Sequence, residues 1–200
     1  MIRPRLVLAS TSPYRRELLA RLRLPFDVAS PGVDERPRPG EHPADLCVRL
    51  ACEKARAVAD RSPDALVIGS DQVAVLGDLA LSKPGGHDAA VEQLRAMRGR
   101  RVAFLTAVAV AQGATPEVRS RLVPTEVQFR AFPDAAIEAY LRADAPYDCA
   151  GAAKIESLGI ALVERVESAD PTALIGLPLI AVVDLLAEFG VSVVPADRTA

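Results

Sequence analysis

The chain has 200 residues, half of them apolar and a quarter charged, which excludes a disordered or low-complexity protein. A formal net charge of -2, with Lys and Arg scattered along the chain, gives no field for coating a polyanion, so no nucleic-acid polymer is expected as a partner. No apolar run approaches the ~20 residues of a membrane helix and the N-terminus lacks a signal-peptide pattern, so a cytoplasmic protein without membrane attachment is expected.

In chain order, Leu6 to Ala9 reads as a short apolar strand, and Ser12 with Pro13 is an N-cap and first-turn pair opening a helix to about Arg23. Phe26 to Ala29 is a second strand, and the Pro-, Gly- and charge-rich stretch Ser30 to Glu41 is a loop. Pro43 starts a helix to about Arg61. Ala65 to Leu76 is β-rich and ends at a Gly77–Asp78 turn, and His87 to Met97 is helical. Strands follow at Arg101 to Gln112 and Arg119 to Phe132, then a helix from Pro133 to about Ala143, a strand at Ile160 to Val166 and a last helix at Leu177 to Phe189. After Gly190 a short Val-rich strand and a polar end are expected. This order predicts an α/β fold with a mixed sheet, and the absence of repeats and linkers predicts a single domain over residues 1–200. Cys47, Cys52 and Cys149 fit neither a disulfide framework nor a zinc site and read as packing residues.

Three features are out of place in a purely structural chain. Arg15 and Arg16 sit in the first turn of the Ser12 helix, where the helix dipole disfavours cations. Either the turn is simply solvated, or an anion is bound there by free N–H groups and an arginine. On the Pro43 helix, a turn of about 100° per residue puts Leu46, Cys47, Leu50, Ala51 and Val58 on one face with Lys54 near its centre. That ammonium must snorkel to an edge or find a negative partner. Asp71 interrupts the apolar run from Leu66 to Val75: it is either a salt-bridged or strand-end residue, or a carboxylate fixed over a cleft as metal ligand or general base. Glu35 in the preceding loop is solvated or supplies a second oxygen ligand.

The stretch L-A-S-T-S-P-Y-R-R-E-L-L from Leu8 to Leu19 resembles the opening motif of the Maf family. The resemblance continues, in family order, through V-D-E at Glu35, R-L-A-C-E-K-A around Lys54, I-G-S-D-Q-V around Asp71, S-K-P at Lys83, C-A-G from Cys149 and G-L-P-L from Gly176. It implies an elongated mixed sheet with two lobes around a deep cleft, related to the inosine triphosphate pyrophosphatase fold, and commonly a homodimer. It further implies a nucleoside triphosphate substrate and a divalent metal cofactor, Mg or Mn. Ser10, Arg15, Lys54 and Lys83 match the family's phosphate-binding positions, Glu35 and Asp71 its metal-binding acids, and Asp71 its proton acceptor. Fold does not fix chemistry, so these polar positions carry the reading.

Within the family, Tyr14, Gln72 and Glu156 resemble the branch that hydrolyses 7-methyl-GTP to 7-methyl-GMP and diphosphate, a house-cleaning activity. The branch acting on thymidine and uridine triphosphates typically has arginine for Tyr14 and threonine for Gln72. Methylated guanine is cationic, so the Tyr14 ring suits it, while Glu156 can accept guanine N–H bonds and Gln72 can both donate and accept. The chain departs from the family pattern at Ser82, often glycine, Ala153, often aromatic, and Thr172, often asparagine. The alternatives are a dTTP/UTP pyrophosphatase or a non-catalytic nucleotide-binding regulator of cell division, and the paired acids and lysines favour catalysis.

Overall fold

The apolar run Ala65–Leu76 forms β3, the strand on which the two halves of the molecule meet. The structure is a computed structural model describing residues 4–113 and 115–194. Around β3 are β1 (Arg5–Ala9), α1 (Pro13–Ala20), β2 (Asp27–Ala29), α2 (Pro43–Ala59), β4 (Leu79–Leu81), α3 (His87–Met97), β5 (Arg101–Gln112), β6 (Val118–Phe129), α4 (Asp134–Asp144), β7 (Val163–Ser168) and α5 (Leu179–Glu188). The strands make one mixed sheet in the order β2-β1-β3-β5-β6-β7, with β4 paired to β3. β1 runs parallel to β2 and β3, and the remaining pairs are antiparallel.

The two edges of β3 are unequal, and that inequality makes the cleft. Along one edge β5 pairs without a break from Leu66 to Val75. Along the other, β1 pairs as far as Gly69 and β4 takes over only at Ala74. Residues 70–73 therefore have no strand on that side, and the gap divides a lobe built on β1, β2, α1 and α5 from one built on β4, α3 and α4.

Alternation along the strands sends successive side chains to opposite faces. Leu66, Ile68, Val108 and Val110 pack on α1 and α5, while further along the same face Ala74, Leu76, Val102 and Phe104 pack on α3 and α4. The opposite face, with Val67, Val73, Ala107 and Ala109, is covered by α2. Gly69 lets α2 come close: a β-carbon there would lie 2.5 Å from the Ala55 amide nitrogen and nearer still to the Ala51 carbonyl oxygen. Small residues at that crossing bring Lys54, one turn along α2 from Ala51, down onto the sheet beside Asp71.

Most expected elements form close to their expected bounds, with four differences. β4 was not expected; it is a three-residue strand returning from a Gly77 turn whose φ of 63° glycine accommodates without a steric penalty. Ile160–Leu162, the expected start of a strand, instead lies in a 3₁₀ turn over Leu158–Leu162, because the Asp144 carboxylate accepts hydrogen bonds from Ser157 Oγ and the Leu158 amide and winds the chain before β7 starts. Short 3₁₀ turns also form at Ala150–Ala152 and Ala173–Ile175. The expected strand after Gly190 is absent over 191–194. The Gly190 and Val191 amides instead donate to the carbonyls of Ala187 and Leu186, closing α5 with a Schellman motif. The polar end expected beyond lies outside the described residues. Among the described residues no helix is long and apolar enough to cross a membrane.

Candidate active site

The gap beside β3 opens into a cleft of about 570 Å³ whose walls include all nine candidate site residues: Ser10, Tyr14, Arg15, Glu35, Lys54, Asp71, Gln72, Lys83 and Glu156. They arrive from α1 and its preceding loop, the loop before α2, α2 itself, β3, the β4–α3 loop and the irregular segment after α4.

Lys54 finds its negative partners. Its Nζ donates to Asp71 Oδ1 at 2.6 Å and lies 2.6 Å from Glu35 Oε1. Lys54 is 4% exposed and Asp71 7%, whereas the Glu35 side chain is 53% exposed at the cleft mouth. An unpaired ammonium at that depth would cost several kcal/mol, on the order of what a broken buried ion pair loses. The pairing answers that cost and aims both acids at one point. Burial opposes ionisation of Glu35, but the Lys54 hydrogen bond and the charges of Lys54, Lys83 and Arg15 outweigh it and hold its carboxyl below the usual range.

The two first-turn arginines part company. Arg16 is exposed, while Arg15 is half-buried with Nε donating to the Gly176 carbonyl at 2.9 Å. Burial pulls the Arg15 guanidinium below its ordinary pKa, against the charges of Asp71 and Glu35. The Gly176 carbonyl also accepts from Ser70 Oγ at 2.9 Å, so the turn after Ala173–Ile175 fastens α1 to β3. Ser12 caps α1 as expected, its Oγ accepting from the Arg15 amide, and the buried Ser10 Oγ accepts from the Ser12 amide at 3.1 Å. Lys83 is exposed on the β4–α3 loop, facing the same end of the cleft. Three cations thus surround two carboxylates, an excess of positive charge suited to a polyphosphate.

The other end of the cleft is lined by Tyr14, Gln72, Asp148, Cys149 and Glu156. Gln72 is less versatile than expected: its Nε2 donates to Thr106 Oγ1 and to the carbonyls of Ala173 and Leu174, which leaves only its carbonyl oxygen for a ligand. Glu156 stands at the rim, its carboxyl raised above the usual range by the surrounding protein and by Asp144 and Asp148, with Lys154 opposing. Burial, with Lys154 opposing it, also lifts the Tyr14 phenol.

Several participants gave no sequence signal of their role. Asp170 is 2% exposed; its Oδ1 accepts from the Thr172 amide and hydroxyl, and its Oδ2 from the Ile180 amide in the first turn of α5. Thr172 Oγ1 in turn accepts from the Leu179 amide, a capping role that the family's usual asparagine can also fill. No local pattern in the sequence shows which helix Asp170 caps. Glu41 Oε1 takes Arg49 Nε at 2.5 Å, tying the loop that carries Glu35 to α2. Ser82 contributes through its carbonyl, which accepts from Gln93 and Gly151, so its side chain is not what that contact requires.

The cysteines are free, as expected. Cys47 packs in the α2 core and its Sγ donates to the Asp71 and Leu105 carbonyls. Burial pushes both the Cys47 and Cys149 thiols up to about 12, so neither is a thiolate nucleophile at neutral pH.

A mixed α/β sheet opened beside its central strand, with a cation-rich floor holding two convergent carboxylates, defines a cleft protein for phosphorylated ligands. The Maf-like protein family matches residues 5–189, and the chain belongs to that family. It is 58% identical over 196 residues, 98% of either chain, to the 7-methyl-GTP pyrophosphatase of Thiobacillus denitrificans. It is 55% identical to that of Albidiferax ferrireducens, covering 98% of each chain, and 57% identical to that of Bordetella pertussis, covering 94% of each. Among solved structures, the Staphylococcus aureus Ham1 protein matches with a TM-score of 0.45 and 16% identity over 64% of this chain and 72% of that one.

Proposed function

We propose that the chain hydrolyses 7-methyl-GTP between its α and β phosphorus atoms, giving 7-methyl-GMP and diphosphate. The observation that carries this reading is the Lys54 ammonium held between Asp71 and Glu35, beside Arg15, at the cationic end of the cleft. The charge pattern matches the ligand end to end: cations for the triphosphate, an aromatic ring and a carboxylate for a methylated, cationic guanine. The relatives named for this activity cover nearly the full chain.

In this reading Asp71 Oδ1 is taken by Lys54, and Oδ2 orients a water and accepts its proton. The water oxygen bonds to the α phosphorus while the bond from that phosphorus to the α–β bridging oxygen breaks. The electron pair leaves on diphosphate, whose developing charge Lys54, Arg15 and Lys83 stabilise. The Ser10 hydroxyl, whose oxygen accepts from the Ser12 amide, keeps its own proton to donate to a phosphate oxygen in this reading. Tyr14, Gln72 and Glu156 select the base.

The donor set also fits a hard divalent cation such as Mg or Mn. Glu35 and Asp71, which converge on one ammonium, offer the hard carboxylate oxygens that would hold the cation. Such an ion neutralises phosphate charge and orients the α phosphoryl group. Hydrolysis in ¹⁸O-water tests the reading: label should appear in the monophosphate, and label in diphosphate would contradict attack at the α phosphorus. A chelator should stop turnover and added Mg or Mn restore it; full activity after exhaustive metal removal would contradict the metal assignment.

A further inference from the structure

Lys154 belongs to the irregular segment after α4, yet its place is tightly set. Its amide donates to Tyr140 Oη at 2.9 Å, Tyr140 Oη donates to the Ala152 carbonyl at 3.0 Å, and Tyr140 is buried. Gly159 packs so closely on the Lys154 backbone that a β-carbon there would clash with it. From this anchored backbone the side chain reaches across to α1, where Nζ lies 5.4 Å from the centroid of the Tyr14 ring. One lobe thus places a cation against the aromatic residue of the other: Lys154 is not itself among the residues lining the cleft, but the Tyr14 ring it approaches is.

A ring already in contact with a cation has less attraction left for a second one, and two cations near one ring also repel each other. The same ammonium has the opposite relation to unmodified guanine, whose N7 and O6 are hydrogen-bond acceptors. Methylation removes the N7 acceptor and adds positive charge. We propose that Lys154 sets base selectivity through Tyr14: it competes with cationic 7-methylguanine for the ring and favours unmodified guanine, thereby narrowing the enzyme's preference between the two nucleotides. This inference rests on the proposed pyrophosphatase reading. Lys154 acts as a positioning and selectivity residue through its contact with Tyr14.

The test is steady-state diphosphate release from 7-methyl-GTP and GTP by the parent, Lys154→Met and Lys154→Arg. Met keeps the length of the side chain and removes its charge. It should raise the ratio of kcat/KM for 7-methyl-GTP over GTP about two- to fivefold, through KM with kcat nearly unchanged. Arg should restore the parental ratio. An unchanged or lower ratio in Lys154→Met, or an equal loss of kcat on both nucleotides, overturns the inference. If Lys154→Met does not fold, Lys154→Gln and equilibrium binding of 7-methyl-GMP against GMP read the same ratio. Failure of the underlying reading shows in the parent, as absence of diphosphate release from either nucleotide, whereas failure of the Lys154 inference shows only in the variants.

Discussion

The two ends of the cleft are built differently. At the phosphate end, Asp71 stands mid-strand on β3 and takes a 2.6 Å hydrogen bond from Lys54 on α2, while Arg15 in the first turn of α1 is held by a 2.9 Å hydrogen bond to the Gly176 carbonyl. At the base end, Glu156 and Lys154 sit on a segment without regular secondary structure between two 3₁₀ turns, facing Tyr14 across the gap. In the proposed reading, chemistry that needs fixed distances rests on the shared sheet, and selection of the base rests on a segment whose side chains can change without moving that sheet.

The comparison breaks most severely at Asp71. Asp71→Asn and Lys54→Ala should each lower kcat at least about 100-fold in protein that still folds but melts lower, since each removes a charge that acts on the loaded cleft and breaks a buried ion pair. Diphosphate release beside a thermal melt separates lost chemistry from lost structure; parental turnover in both variants would refute the site. Gly69→Val attacks the scaffold instead. It forces α2 off β3 and should cost about 2 to 3 kcal/mol or more in denaturant unfolding, with activity falling in step with stability.

Changes at the base end should redirect rather than abolish. Tyr14→Ala is expected to lose about 0.5 to 2 kcal/mol of discrimination for 7-methyl-GTP over UTP, and Tyr14→Arg with Gln72→Thr to move preference toward pyrimidines, read as kcat/KM ratios. Because the Glu156 carboxyl is raised above the usual range, its protonation on acidification begins nearer neutrality than for an ordinary glutamate. Discrimination should therefore begin to fall earlier on acidification from neutral pH than an ordinary glutamate would allow, and Glu156→Gln should flatten that dependence; an identical profile in the variant would remove Glu156 from base recognition.

The smallest effect is expected at the tether of the Glu35 loop. Arg49 holds the Glu41 carboxyl at about 2, below an unfolded value of about 4.3, so its contribution is present at neutral pH and is lost only as pH falls from about 4 toward 2. Glu41→Gln at pH 7 should raise KM about two- to fivefold with kcat nearly kept, because the loop carrying Glu35 loses an ion pair with Arg49. An unchanged KM would show that the loop is held without it.

Much of the phosphate end was legible in the sequence because a charge on an apolar face demands a partner. Lys54 on the packing face of its helix and Asp71 in an apolar strand each announced an unmet need, and the fold lets them meet it in one another. Tyr14, Gln72 and Glu156 were expected to share a site through family resemblance alone; all three line the cleft, and there the structure changed the detail. Gln72 has its amide nitrogen taken by the 173–174 carbonyls, and Tyr14 already faces a lysine. Those contacts join residues about 100 or more positions apart, beyond the reach of periodicity. The 3₁₀ turn at Leu158–Leu162 escaped for a related reason: its apolar residues suggest a strand, and the carboxylate that winds them comes from α4.

The most direct test is a nucleotide panel at fixed Mg or Mn, measuring diphosphate release from 7-methylguanosine, guanosine, inosine, thymidine and uridine triphosphates. The account predicts the highest kcat/KM for 7-methyl-GTP, with that activity abolished in Asp71→Asn. Equal or higher efficiency on the thymidine or uridine nucleotide would contradict the assignment of the base end, and no diphosphate from any member of the panel would contradict the assignment of the cleft as a pyrophosphatase site.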